Sequence, residues 1–238
     1  MRVSDHVYIL SGSYYSAVNN QDVLGDVYGI RTDAGMILVD CGIPVAGPAR
    51  IKKTLAEYGI ADPITHLLLT HAHFDHAGGA KAYQDAGAKV AVGAEDAPYC
   101  RAGGIRHLGS PFPEHDFPAF EPDLVIEDDC ELELSGLLFR FYKTPGHSPG
   151  GLSIRVEVDG KTMLFTGDAL QPEGRQINQV SFGWQGDPNY SRAAVVESMK
   201  KLSALTADMI LPGHGKVCVD NGTELLQFAY RQALLTMR

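Results

Sequence analysis

The chain reads as a mixed α/β protein, on three observations. First, alternating strand-like runs and helix-spaced runs recur in two successive series along 238 residues. Second, 45% apolar and 21% charged residues make an ordinary globular composition, enough to bury a large core and contrary to a disordered chain. Third, four glycine-bearing segments that carry histidine or aspartate each follow an apolar run. That placement is expected where loops gather functional groups on a rigid scaffold.

Taken in order, strands are expected near 6–11, 24–31 and 35–40, with Asp33-Ala34-Gly35 turning between the last two. Helical spacing of Ile51, Leu55 and Tyr58 predicts a helix from Ala46 that stops at Gly59. A strand at 64–69, a helix over 79–86 ending at Gly87 and a strand at 89–92 complete the first series. The second series has strands near 131–134, 137–143, 152–158 and 161–166, a helix near 191–204, a strand at 208–211 and a helix over about 222–236. Asp220-Asn221-Gly222-Thr223 supplies the start signal for that last helix.

The strongest chemical signal is His71-Ala72-His73-Phe74-Asp75-His76, three imidazoles and a carboxylate within six residues. Such side chains are ligands for borderline metals like zinc. One intervening residue lets His71 and His73 point the same way on an extended chain, and Asp75 and His76 follow on the bend into Gly78-Gly79. Downstream, His147 lies beside Gly146, Asp168 beside Gly167, and His214 between Gly213 and Gly215. Glycine lets the backbone turn tightly beside an ion. A histidine or aspartate taken singly is commonly a capped turn or a satisfied core residue, but one pattern repeated in four loops is not.

Gly146-His147-Ser148-Pro149-Gly150 also reads G-x-S-x-G, the nucleophile elbow of serine hydrolases. That elbow needs a backbone N–H after the serine and a helix beyond it. Pro149 has no N–H, and an alternating strand over 152–158 follows. Ser148 is therefore set aside as a nucleophile.

Together, the His-x-His-x-Asp-His loop, Gly146-His147, Gly167-Asp168 and Gly213-His214-Gly215 resemble the metallo-β-lactamase-fold superfamily, from about residue 7 to the C-terminus. The resemblance implies an α/β fold (α+β by some schemes) built as a four-layer αββα sandwich in a single domain, 1–238. It implies that His71, His73 and His147 hold a first metal, that Asp75, His76 and His214 hold a second, and that Asp168 bridges them. The cofactor expected is two divalent ions, Zn2+ foremost, with iron or manganese also accepted by these ligands.

The implied activity is a binuclear metallohydrolase in which a metal-bridging hydroxide cleaves an ester, thioester or lactone of a small cytosolic molecule. Asp75 would orient that hydroxide or carry its proton. The chain resembles glyoxalase II-like and lactonase-like members, with two departures. Ala169-Leu170-Gln171 follows the bridging aspartate where acyl-homoserine lactonases have a tyrosine, which leaves Tyr190 as a substitute, and no extended glutathione-binding segment is found. The alternatives are a mononuclear iron persulfide dioxygenase, which shares the Phe165-Thr166-Gly167-Asp168-Ala169 run, a β-lactamase, or a non-catalytic module that kept its metals.

Two stretches lack regular period. Residues 98–122, rich in proline and aromatics, read as a lid or substrate wall, or else as a packing insertion. Residues 171–188, with Arg175, Phe182, Trp184 and Gln185, begin beside the bridging aspartate and are assigned to the pocket. Arg175, Trp184, Tyr190 and His107 are the candidate substrate residues. Formal charge of −9 argues against nucleic acid and anionic membranes as partners, leaving a small-molecule substrate and, as an assembly, a homodimer. The opening residues carry no signal sequence and no run reaches membrane-spanning length, so a cytoplasmic enzyme is expected. Cys41, Cys100, Cys130 and Cys218 form no C-x-x-C pair and are expected to be free, with Cys41 read as a small buried hydrophobe, the alternative being a place near the metal floor.

Overall fold

The computed structural model describes residues 1–12, 25–104, 116–173 and 179–237. The first series folds as strands β1 (Val7–Ser11), β2 (Val27–Thr32) and β3 (Gly35–Val39), helix α1 (Ala46–Glu57), strand β4 (Ile64–Leu68), helices α2 (Phe74–Ala77) and α3 (Ala80–Asp85), strand β5 (Lys89–Gly93), helix α4 (Ala97–Ala102) and strand β6 (Leu124–Ile126). The second follows as β7 (Cys130–Leu134), β8 (Leu137–Lys143), β9 (Leu152–Val158), β10 (Lys161–Gly167), β11 (Gln171–Pro172), β12 (Val180–Ser181), α5 (Arg192–Leu202), β13 (Met209–Pro212) and α6 (Gly222–Thr236).

Strand alternation decides the layers, because successive side chains point to opposite faces of a sheet. Val7, Ile9, Tyr28, Ile30, Ile37 and Val39 meet Phe139, Phe141, Ile154, Val156, Met163 and Phe165 in one core between two sheets. The alternate residues Tyr8, Leu10, Met36, Leu38, Val90 and Val92 face outward and pack with Ile51 and Leu55 of α1. On the far side, Leu164 and Ile210 pack with Val195 and Met199 of α5 and Leu226 and Ala229 of α6. Helix, sheet, sheet, helix is the four-layer order that the resemblance implies.

The first sheet runs β1-β2-β3-β4-β5-β6 and the second β13-β10-β9-β8-β7. Strands β3 to β6 are parallel, and β13 is parallel to β10. The carboxyl ends of β3, β4 and β5 therefore open on one edge. Antiparallel pairing of β8 with β9 and of β9 with β10 sends β8 and β10 the same way in the second sheet.

Several elements differ from the sequence reading. Helices α2 and α4 and strand β6 depart from the expected order; each lies in or beside a stretch that the motif loop or the aperiodic 98–122 segment dominates. Residues 98–122 are not one loop. Pro98 to Ala102 belong to α4, and Phe117 and Phe120 are core residues beside Cys100. This favours packing for both ends of the segment. Its middle, with His107 and His115, lies outside the described residues. Helix α6 starts at Gly222 as expected, but its N-cap Asn221 is left-handed (φ 61°) and makes no side-chain cap, while the Thr223 hydroxyl donates to the Ala207 carbonyl at 3.1 Å. The four cysteines are free, and Cys41 is buried with its Sγ 3.1 Å from the His76 carbonyl. No helix among the described residues is long and apolar enough to cross a membrane.

Candidate metal centre

The turns after β4, β8, β10 and β13 deliver the seven predicted ligands to one place. His73 is extended (φ −70°, ψ 151°), which continues β4, and the single turn α2 then swings Asp75 and His76 inward. Gly78 is needed there, because a Cβ would lie 2.4 Å from Pro44 Cδ. His147, Asp168 and His214 follow β8, β10 and β13. At Gly213 a Cβ would lie 2.4 Å from Asp168 Oδ1, so only glycine admits this approach.

Three groups of ligand atoms each fall within 4.8 Å: His71 with His73 and His147, Asp75 with His76 and His214, and His71 with His76 and Asp168. The first two are the triads implied by the resemblance. Asp168 lies between them, Oδ2 being 3.4 Å from His147 Nε2 and 3.6 Å from His214 Nε2, and Oδ1 3.5 Å from His76 Nε2. His71, His73, Asp75, His76, His147 and Asp168 are buried, and His214 is partly so.

Around this cluster stand carboxylates that the sequence reading passed over. Asp40, immediately after β3, accepts from His76 Nδ1 at 2.9 Å, from the Thr70 hydroxyl at 2.8 Å and from the Thr70 amide at 2.8 Å. The Thr70 oxygen in turn faces His71 Nδ1 at 3.1 Å. Asp187 accepts from His73 Nε2 at 2.8 Å. Asp96 accepts from the Ala72 amide at 2.9 Å and the Gly150 amide at 2.6 Å, which ties the first histidine loop to the His147 loop. Asp40 and Asp187 each accept from the outer ring nitrogen of a histidine and leave its inner nitrogen facing the cluster. A lone aspartate after a strand carries no spacing signal, which is why only the fold reveals these residues.

Electrostatics sort the ligands by their neighbours. Burial holds His71 well below the usual histidine range, reinforced by His76 and His73. Burial likewise brings His147 down to about 4, against the pull of Asp168. At His76 burial is outweighed by Asp75, Asp168 and Asp40, which raise its pKa to about 10. Burial also opposes ionisation of Asp75, yet His76 and His214 keep its carboxyl far below the usual carboxylate range.

The donor set fits divalent metal. Asp168 Oδ1 is a buried carboxylate oxygen without a hydrogen-bond partner. His71 Nε2 and His147 Nε2 lie 3.2 and 2.8 Å from His73 Nδ1, and His76 Nε2 lies 3.2 Å from His214 Nε2. Converging lone pairs repel unless a cation or protons lie among them. These histidine and aspartate clusters can thus hold divalent ions.

Of the candidate substrate residues, two are described. Trp184 is 56% exposed. The Tyr190 hydroxyl donates to the Phe182 carbonyl at 3.1 Å and lies 3.5 Å from the Met237 sulfur, in the core beneath α6. Phe182, read from sequence as a pocket residue, is buried in that same core. Arg175 and His107 lie outside the described residues.

Known proteins align with this arrangement. The chain is 26% identical over 216 residues to the probable metallo-hydrolase YflN of Bacillus subtilis, covering 81% of each. It is 30% identical over 174 residues to a hydroxyacylglutathione hydrolase of Cereibacter sphaeroides, covering 72% of this chain but only 55% of that longer protein. The fold superposes on BJP-1, a subclass B3 metallo-β-lactamase of Bradyrhizobium japonicum, with a TM-score of 0.73, 24% identity and coverage of 100% and 94%. The sequence model of the metallo-beta-lactamase superfamily matches residues 21–214, a span that ends on the last histidine of the cluster, and the chain belongs to that superfamily.

Proposed function

We propose that this protein is a binuclear metallohydrolase that cleaves an ester, thioester or lactone bond of a small molecule. Hydrolase-type function follows from the superfamily. The finer reading rests on one observation: the buried Asp168 carboxylate lies between two ligand triads, within 3.6 Å of His147, His76 and His214. His71, His73 and His147 would hold one ion and Asp75, His76 and His214 the other, with Asp168 shared. Bound divalent ions supply Lewis acidity, polarising a carbonyl oxygen and bringing the pKa of water to about 7.

The protein's own groups do the rest. Asp75 stays ionised, because His76 and His214 face its Oδ2 at 3.5 and 3.0 Å, and it is the carboxylate suited to take a proton from water and pass it to the leaving group. Asp40 and Asp187 hold the outer nitrogens of His76 and His73, so the ligand rings need no reorganisation. Ser148 adds no rival nucleophile, since proline follows it. The hydroxyacylglutathione hydrolases among the relatives favour a thioester for the first assay.

Metal analysis of protein purified without added metal should find about two divalent ions per chain. Turnover of a hydroxyacylglutathione, an ester or a lactone should vanish in Asp168→Ala. Retained turnover in that variant would remove the bridging role. One iron per chain with oxygen consumption on a persulfide would replace the hydrolase reading.

A further inference from the structure

We infer that residues 183–187 form a bracket over the first histidine triad, in which Asp187 is a positioning residue for His73 and couples occupancy of that triad to Trp184. The inference rests on the metal-binding reading above and extends it to a segment outside the ligand set.

Two contacts hold the bracket, one at each end. At the first, Gly183 (φ +71°) lies directly against His147, where a Cβ would be 2.3 Å from Nδ1 and 2.8 Å from the Asp168 carbonyl oxygen. At the other, Asp187 Oδ2 meets His73 Nε2 at 2.8 Å, with the Asp187 side chain fully buried. Two of the three histidines of the first triad therefore touch the same five-residue stretch.

Asp187 is itself held in place. Its Oδ1 accepts from the Asn189 amide at 2.6 Å, and its carbonyl accepts from the Tyr190 amide at 3.0 Å. With Oδ2 on Nε2, the His73 proton is fixed on the outer nitrogen. Nδ1 is then the atom that faces His147 Nε2 at 2.8 Å. Asp187 thus selects which nitrogen of His73 serves the metal, a task that no ligand can perform for itself.

Between the anchors the chain turns outward. Trp184 is 56% exposed, and its ring lies over Gly186, where a Cβ would meet Cζ2 at 2.0 Å. The indole is therefore pinned to backbone whose two ends rest on metal-facing histidines. A shift of His73 or His147 on loading is transmitted through this backbone to the ring, so that Trp184 reports occupancy of the first triad.

Trp184 is the only tryptophan in the sequence, so its fluorescence reads the bracket alone. Chelator-treated protein would be titrated with Zn2+ in the wild type and in a His214→Ala background, which leaves the first triad to report singly. We expect Trp184 emission to change with the first equivalent. In Asp187→Ala the first-triad affinity should fall about 10–100-fold and the emission change should disappear. Asp187→Asn keeps one acceptor oxygen but turns its amide hydrogens toward His73 or the Asn189 amide, so a loss smaller than in the alanine variant is expected; if the alanine variant does not fold, wild-type affinity in Asp187→Asn overturns the inference. Wild-type affinity in Asp187→Ala, or emission indifferent to Zn2+ in the wild type, overturns the inference. Failure of the wild type to bind Zn2+ overturns both this and the hydrolase reading, whereas Zn2+ binding and coupling without hydrolysis remove only the latter.

Discussion

Asp40 accepts from His76 Nδ1 at 2.9 Å, and through the Thr70 hydroxyl the same carboxylate reaches His71. One residue of β3's exit thereby orients a histidine from each triad. Asp40 adopts φ 60°, a left-handed conformation that aspartate and asparagine tolerate better than most.

Asp40→Ala removes the acceptor for three buried donors and should cost roughly 3–5 kcal/mol of stability. Asp40→Asn keeps the backbone conformation but turns amide hydrogens toward donors, and should lower metal affinity by about 10–100-fold. Denaturant titration of the first variant and chelator competition on the second would measure these effects.

Metal-free protein should be most stable near pH 6.5. The folded pKa of His76 is raised to about 10, so its contribution is full below the unfolded value of 6.5 and is lost as pH rises toward 10. His147 is lowered to about 4, so its penalty grows as pH falls from 6.5 to 4. Unfolding by urea across pH 4–10 in chelator should trace this maximum. Metal affinity should rise over the alkaline half of that range, because binding must displace the His76 proton.

Gly213→Ala places a Cβ 2.4 Å from Asp168 Oδ1 and 2.7 Å from His76 Cε1. Backbone there cannot yield easily, since the Gly213 amide donates to the Gly167 carbonyl at 2.8 Å and its carbonyl accepts from the Asp26 amide at 2.6 Å. We expect folded protein that retains at most one metal equivalent, as read by metal analysis after dialysis.

Asp96→Ala leaves the Ala72 and Gly150 amides without their acceptor, in a buried seam between the first and second ligand loops. The cost should be about 2–4 kcal/mol, from two unsatisfied donors. Stability measured with saturating Zn2+ should recover in part if, as proposed, metal joins His71 to His147; no recovery would argue that the loops meet independently of metal.

The candidate ligand cluster was legible in sequence because its spacing is local: His71 to His76 sit within six residues, and glycine marks His147, Asp168 and His214. Strand patterning likewise showed the long elements, since β8 and β9 alternate along seven residues and β10 carries a continuous apolar run buried on both faces. The short α2, α4 and β6 were hidden, because a turn or two of backbone is set by neighbours rather than by its own pattern.

The sequence by itself thus determined the kinds of candidate ligand side chain, the loops that carry them and the mixed strand-helix order, all properties of neighbouring residues. Tertiary structure alone decided the outer carboxylates. Asp40 meets His76 across 36 positions, Asp96 meets Gly150 across 54 and Asp187 meets His73 across 114. It also drew Phe182 into the core, set Tyr190 against it and left the Trp184 ring exposed. The reason is physical: a buried donor must find its acceptor wherever packing brings the chain, and no local periodicity records that meeting.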